Sequence, residues 1–237
     1  MWYFRSPEIV YGEDALEEFD HLATEKALII TDPVLAELGL AERVASRLKD
    51  AEVIDFAEVE PEPSLNTVQR GAEIAAAFGP DLIVAVGGGS VMDAGKAIAM
   101  LYEHTVMDLE AVSPWLPLDP FKSRFVVVPT TSGTGAEATM GAVLTDSATR
   151  RKVVPIHPRM LPSLAVVDPA MTQFLPPEIT ADTGMDVLTH AVDAYSATYH
   201  NAFADGLSLK ATQIVFKHLR RAVANGAEDM EAREKMA

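Results

Sequence analysis

Apolar runs of strand length alternate with stretches of helical period over most of this chain, and that alternation restricts the fold more than any other feature. "ALIITD" (27–32) precedes helical periodicity over 33–49, "AEVIDF" (51–56) precedes 64–79, and "DLIVAV" (81–86) precedes 90–103. Runs that are apolar at successive positions belong to strands covered on both faces, so the pattern predicts βαβ units around a buried parallel sheet. Further strands are expected at 124–129, 141–146, 152–156 and 163–168, with the proline-rich "SPWLPLDPFK" (113–122) as a surface loop. After Asp168 the texture changes: 178–199 and 203–224 carry apolar residues at helical spacing and no strand-like run follows. The expected fold is α/β, a Rossmann-like parallel-sheet domain over 1–175 followed by the start of an all-helical domain over 176–237, with "PAMTQFLPPE" at the boundary. Two helices and a charged stretch bury little alone, so the second domain reads as incomplete and the chain as a truncated form.

Composition narrows the chemistry. Cysteine is absent, which removes disulfides, thiolate nucleophiles and Cys-ligated metals and leaves carboxylate and imidazole as the available metal ligands. A net charge of −16 repels phosphate backbones and anionic lipid headgroups, so neither nucleic acid nor membrane is expected as a partner. Charged residues interrupt every apolar stretch before bilayer length, and the N-terminus lacks the pattern of an export signal, so a cytoplasmic location is expected.

Two glycine-rich turns follow predicted strands. In "VAVGGGSVMDAGKAIAM" (84–100), glycines at a strand end open backbone N–H groups to an anion, and the helix start beyond adds partial positive charge. A Walker A loop does not fit, because five residues separate Gly89 from Gly95 and Ala97 follows Lys96; the Rossmann fingerprint fails at Met92. A plain strand-to-helix turn remains the alternative. The second turn, "VVVPTTSGTGAEAT", adds hydroxyl donors from Thr130, Thr131, Ser132 and Thr134. Two such turns at strand ends in one doubly wound sheet fit a ligand crevice with a wall on either side.

Asp32 ends "IITD" at another strand terminus. Its carboxylate suits ribose hydroxyls and would repel a 2′-phosphate, by about 4 kcal/mol for like charges roughly 4 Å apart at moderate dielectric, which favours NAD over NADP. A helix cap before "PVLAEL" explains the same residue equally well. Asp186 and His190 lie four apart on a predicted helix and share a face, as two donors to one divalent cation or as an ordinary ion pair. A catalytic metal generally needs three protein ligands, and His21, His104, His157, His200 and His218 show no spacing that completes a set. His200 and His218 read as surface residues.

"GGGSVMDAGKA", "PTTSGTGAEAT" and "ADTGMDVLTHAVDAY" in this order, with "MWYFRSPEIVYG" at the start, resemble the iron-containing (group III) alcohol dehydrogenases over essentially the whole chain. The resemblance implies an α/β domain that holds NAD, a helical domain that holds Fe²⁺ (Zn²⁺ suits the same donors), and hydride transfer between them, oxidising an alcohol to an aldehyde or ketone. Position by position it implies pyrophosphate contacts from Gly88, Gly89 and Ser90, with Asp93 in the helix beyond as a further cofactor-binding residue. Thr130, Thr131 and Thr134 would line the nicotinamide side, Lys152 would reach the cofactor, and Asp32 would hold the adenosine ribose. Asp186 and His190 match the first two metal ligands, and the family's remaining ligands are histidines beyond residue 237. Some members carry Asn where Glu62 and Gly141 stand, so those two cofactor contacts are not expected. Glycerol dehydrogenases, dehydroquinate synthases and a non-catalytic nucleotide-binding fragment are the alternatives. A small-molecule alcohol or aldehyde is the expected substrate, and the apolar faces of 178–224 point to self-association into a homo-oligomer.

Overall fold

The computed structural model describes residues 4–104, 108–198 and 201–237. Its strands are β1 (Glu8–Tyr11), β2 (Lys26–Ile30), β3 (Glu52–Phe56), β4 (Leu82–Gly87), β5 (Arg124–Pro129), β6 (Leu144–Asp146), β7 (Arg151–Val153) and β8 (Leu164–Val167). Six of them form one parallel sheet in the order β1-β8-β5-β4-β2-β3, and β6 pairs with β7 as a separate antiparallel hairpin. The helices are α1 (Pro33–Glu37), α2 (Leu40–Ala45), α3 (Leu65–Phe78), α4 (Gly89–Glu103), α5 (Pro177–Ser196), α6 (Ala202–Asn225) and α7 (Met230–Met236). Among the described residues no helix is long and apolar enough to cross a membrane.

The continuous apolar runs are explained by what covers them. Successive residues of each central strand face opposite sides. Leu28, Ile30, Ile83 and Ala85 join one buried cluster with Val68 of α3 and Ile98 of α4. Ala27, Ile29, Val84 and Val86 join a second cluster with Phe19 and Val44 on the other side. Every residue of β4 is buried, as expected of a strand with helices on both faces.

Several boundaries differ from the expectation. The helix predicted over 33–49 is two short helices, because Gly39 takes a left-handed conformation (φ 73) between them. The strands expected at 141–146 and 152–156 shorten to the hairpin, which stands outside the parallel sheet. The helix expected over 178–199 runs from Pro177 to Ser196, and Tyr199 lies outside the described residues. The edge strand β1 was not expected, and neither was α7, whose N-cap Asp229 accepts from the Ala232 N–H. His218 is buried at 4% exposure rather than on the surface, with Glu231 and Lys235 of α7 beside it; burial and the neighbouring Lys217 and Arg221 hold its imidazole below the usual pKa. His200 lies outside the described residues.

One fully buried cation fastens the segment after β5 to α4. Lys96 donates to Asp93 Oδ1 (3.1 Å), Thr139 Oγ1 (2.8 Å) and the Gly141 carbonyl (2.8 Å), while Asp93 Oδ2 accepts from the Val143 N–H (2.8 Å). Burial draws the Lys96 ammonium below the usual lysine range, opposed by Asp93 and by Glu137. Lys96→Ala leaves Asp93 unpaired in a largely buried place, so urea denaturation should show a loss of about 3 kcal/mol. An Asp93→Asn/Lys96→Met double variant should recover most of it; no recovery would mean that packing, not the charge, is what Lys96 supplies.

Candidate dinucleotide crevice and metal-donor pair

The strand order sets where a ligand can sit. β2 leads to β3 on one side and β4 leads to β5 on the other, so the carboxyl ends of β2 and β4 form the switch point of the sheet. Thr31 ties these ends together by donating its hydroxyl to the Val86 carbonyl (2.9 Å). Asp32 stands on one side of the gap and Gly87–Ser90 on the other. Asp32 caps α1, with Oδ1 accepting from the Leu35 N–H (2.8 Å), and the side chain stays partly exposed. The cap therefore accounts for one carboxylate oxygen and leaves the other open to a hydroxyl.

Gly88 is the N-cap of α4 in extended conformation without a side-chain cap, and the first turn of the helix holds no acidic residue. Its first N–H groups lack intrahelical partners and carry the positive end of the helix dipole, an arrangement suited to a pyrophosphate. Gly88, Gly89 and Ser90 are partly exposed.

The second glycine turn lies directly against the first. A Cβ on Gly88 would stand 3.3 Å from Thr131 Oγ1, and one on Gly89 would stand 2.7 Å from Thr134 Cγ2. Thr130 is buried and donates its backbone N–H to the Gly87 carbonyl (3.0 Å), so the two turns are joined where they leave the sheet. Thr131 is partly exposed and Thr134 exposed; Thr134 Oγ1 accepts from the Ala136 N–H (3.2 Å), which leaves its own hydroxyl proton to donate. The far side of this turn seats the helical part: a Cβ on Gly133 would lie 2.8 Å from the Thr183 carbonyl oxygen of α5. A cavity of about 230 Å³ opens between turn and helices, lined by Thr131, Ser132 and Glu137 on one side and Val187 and Ile214 on the other. Glu137 was missed in the sequence although it lies within "GTGAEA"; burial pushes its carboxyl upward in pKa, opposed by its own backbone N–H and by Lys96.

Asp93, Lys152 and Gly141 have partners within the protein. Both oxygens of Asp93 are engaged by Lys96 and Val143, so this carboxylate braces the crevice from within the protein. Lys152 is exposed on β7, with Nζ 2.9 Å from Glu62 Oε2 and donating to Thr145 Oγ1 (3.1 Å). Gly141 offers its carbonyl to Lys96 rather than facing the crevice.

Asp186 Oδ1 and His190 Nε2 lie 3.4 Å apart on α5, with side chains 41% and 63% exposed. The pair has the chemistry of two corners of a divalent-cation site. Among the described residues no group of three or more His, Asp or Glu side chains could hold a metal ion, so the donor set here stays at two.

Comparison with known proteins follows this geometry. The family model "Iron-containing alcohol dehydrogenase" matches residues 6–169, and "Fe-containing alcohol dehydrogenase family, C-terminal" matches 180–237. The chain belongs to the iron-containing alcohol dehydrogenases. An aldehyde-alcohol dehydrogenase of Streptococcus pneumoniae is 42% identical over the whole chain, which covers 28% of that protein. An NADPH-dependent butanol dehydrogenase of Clostridium saccharobutylicum is 39% identical, and the chain covers all of itself and 62% of that protein. The solved sulfoacetaldehyde reductase of Bifidobacterium kashiwanohense in complex with NAD⁺ superposes with a TM-score of 0.91 at 31% identity, over 100% of this chain and 64% of that one. This chain thus spans less than two-thirds of the length of these relatives.

The family's glycine turns owe their position here to contact without side chains. Gly89→Ala should displace the second turn and separate the walls, because the added Cβ would meet not only the Thr134 side-chain tip (Cγ2 2.7 Å, Oγ1 2.9 Å) but its Cβ at 3.1 Å. NADH affinity should fall at least tenfold, about 1.4 kcal/mol, with the melting temperature near that of the unaltered chain. Unchanged affinity in a fluorescence titration would show that this contact does not shape the ligand site.

Proposed function

We propose that this chain carries the dinucleotide-binding part of an NAD-dependent, metal-dependent alcohol dehydrogenase that interconverts an alcohol and an aldehyde or ketone. The reading rests above all on the contact between the glycine turns after β4 and β5, beside the switch point of the sheet. In it, the amides of Gly88, Gly89 and Ser90 hold the pyrophosphate, and Thr130, Thr131 and Thr134 line the nicotinamide side. Asp32 receives the adenosine ribose on its open oxygen, and Lys152 reaches the cofactor from β7. Bound NAD would supply the nicotinamide ring as acceptor for the hydride of the carbinol carbon, with the hydroxyl proton released to solvent. Asp186 and His190 would supply two donors to Fe²⁺ or Zn²⁺, since one carboxylate and one imidazole suit both. Such an ion, bound with further ligands, would supply Lewis-acid polarisation of the alcohol oxygen.

The relatives divide on cofactor: the butanol dehydrogenase is NADPH-dependent, and the sulfoacetaldehyde reductase was solved with NAD⁺. The Asp32 carboxylate at the crevice supports NAD for this chain, because a 2′-phosphate beside it meets a like charge. A second reading, nucleotide binding without turnover by these 237 residues alone, is favoured by the two-member donor set among the described residues.

Titration of the purified chain with NADH, NADPH and ATP, followed by nicotinamide fluorescence or calorimetry, tests both readings. NADH should bind saturably, NADPH at least tenfold more weakly, and ATP should not compete at micromolar concentration. Addition of Fe²⁺ or Zn²⁺ and short primary alcohols should give no turnover by this chain. Saturable binding of neither dinucleotide would overturn the proposal, and metal-dependent turnover would overturn the second reading.

A further inference from the structure

Glu62 sits where no carboxylate is wanted if the start of α4 receives an anion. It lies between Pro61 and Pro63, in the loop that leads to α3, and its backbone is left-handed (φ 57). A side chain that bears a Cβ pays on the order of 1 kcal/mol for that conformation. The loop is held firmly on its C-terminal flank. The Pro63 carbonyl accepts from the Thr145 N–H (2.9 Å), Ser64 caps α3 by accepting from the Thr67 N–H (3.2 Å), and Glu60 Oε1 accepts from the Ser64 N–H (2.9 Å). With these anchors in place, the Glu62 N–H points at Ser90 Oγ (3.4 Å), in the first turn of α4. Its carboxylate reaches Lys152 Nζ at 2.9 Å, and the same ammonium donates to Thr145 Oγ1.

Three elements therefore meet at one corner: the loop before α3, the β6–β7 hairpin and the N-terminus of α4. The Lys152 ammonium at this corner is neutralised by Glu62, whose own backbone N–H meets Ser90 in the first turn of α4. A pyrophosphate seated on Gly88–Ser90 and Glu62 compete for the same positive charge.

We propose that Glu62 is a positioning residue that keeps Lys152 off the phosphate cradle until a dinucleotide draws it away, and so lowers dinucleotide affinity. The proposal rests on the dinucleotide reading given above. Lys152 must exchange the Glu62 carboxylate for a phosphate oxygen, and the bound phosphates then face Glu62 without its partner. Both effects act between exposed groups, 45% and 72% exposed for Lys152 and Glu62, so salt screens them.

NADH affinity is to be measured for the unaltered chain, Glu62→Gln, Lys152→Met and the double variant, at about 0.02 M and 0.5 M salt. Glu62→Gln should bind NADH three- to tenfold more tightly at low salt, with the gain shrinking at high salt. In the Lys152→Met background the gain should be smaller, which a purely structural role of Glu62 would not produce. Glu62→Gly, whose backbone suits the left-handed conformation, keeps the test open should the glutamine variant fold poorly, and it should show the same direction. Unchanged or weaker binding by both Glu62 variants, or an equal gain with and without Lys152, would overturn the latch. If the unaltered chain binds no dinucleotide, the reading of the crevice fails; if it binds and Glu62 makes no difference, only this inference fails.

Discussion

Bare backbone at two strand ends is the constraint on which the rest of this structure depends. The turns after β4 and β5 approach so closely that a single Cβ at residue 89 would stand within 2.7 Å of Thr134. Glycine at 88 and 89 thus serves two ends: it lets the second turn close on the first, and it leaves the N–H groups at the start of α4 uncovered. The neighbouring features hold that contact in place. Thr31 and Thr130 tie adjacent strand ends, buried Lys96 fastens the segment beyond the second turn onto α4, and Gly133 lets α5 rest on its outer side. The helical part is in this sense built on the second turn.

Much of this was legible in the sequence for a physical reason. A strand covered on both faces must be apolar wherever it is covered, and β4 throughout, β5 after Arg124 and β2 after Lys26 announce themselves that way. The glycine turns at their ends follow, because strand ends in an open α/β sheet are where ligands bind. What escaped notice lacks such periodicity. β1 is an edge strand with Glu8, Ile9 and Tyr11 exposed, so its "EIVY" shows neither alternation nor a continuous buried run. α7 is short and highly charged, and only its Asp229 cap marks it. The burial of His218 comes with the docking of α7 against α6, which no local pattern encodes.

The site divides in the same way. Asp186 and His190 could be paired from helical spacing alone, since residues four apart share a face. The Glu62–Lys152 pair could not, because its members are distant in the chain and meet only through the docking of the β6–β7 hairpin beside the loop before α3. Asp93 shows the opposite limit: its place near the glycine run suggests a cofactor contact, whereas its two oxygens hold Lys96 and the Val143 amide. A charged residue close to a ligand site in sequence can be part of the frame rather than of the contact surface.

Hydrogen–deuterium exchange of the chain with and without saturating NADH tests the central claim most directly. If the two turns form one crevice, amides of 87–91 and of 130–135 should gain protection together, at the same NADH concentration, while the β6–β7 strands change little in their backbone. Protection of one turn without the other, or of neither while NADH is demonstrably bound, would contradict the account.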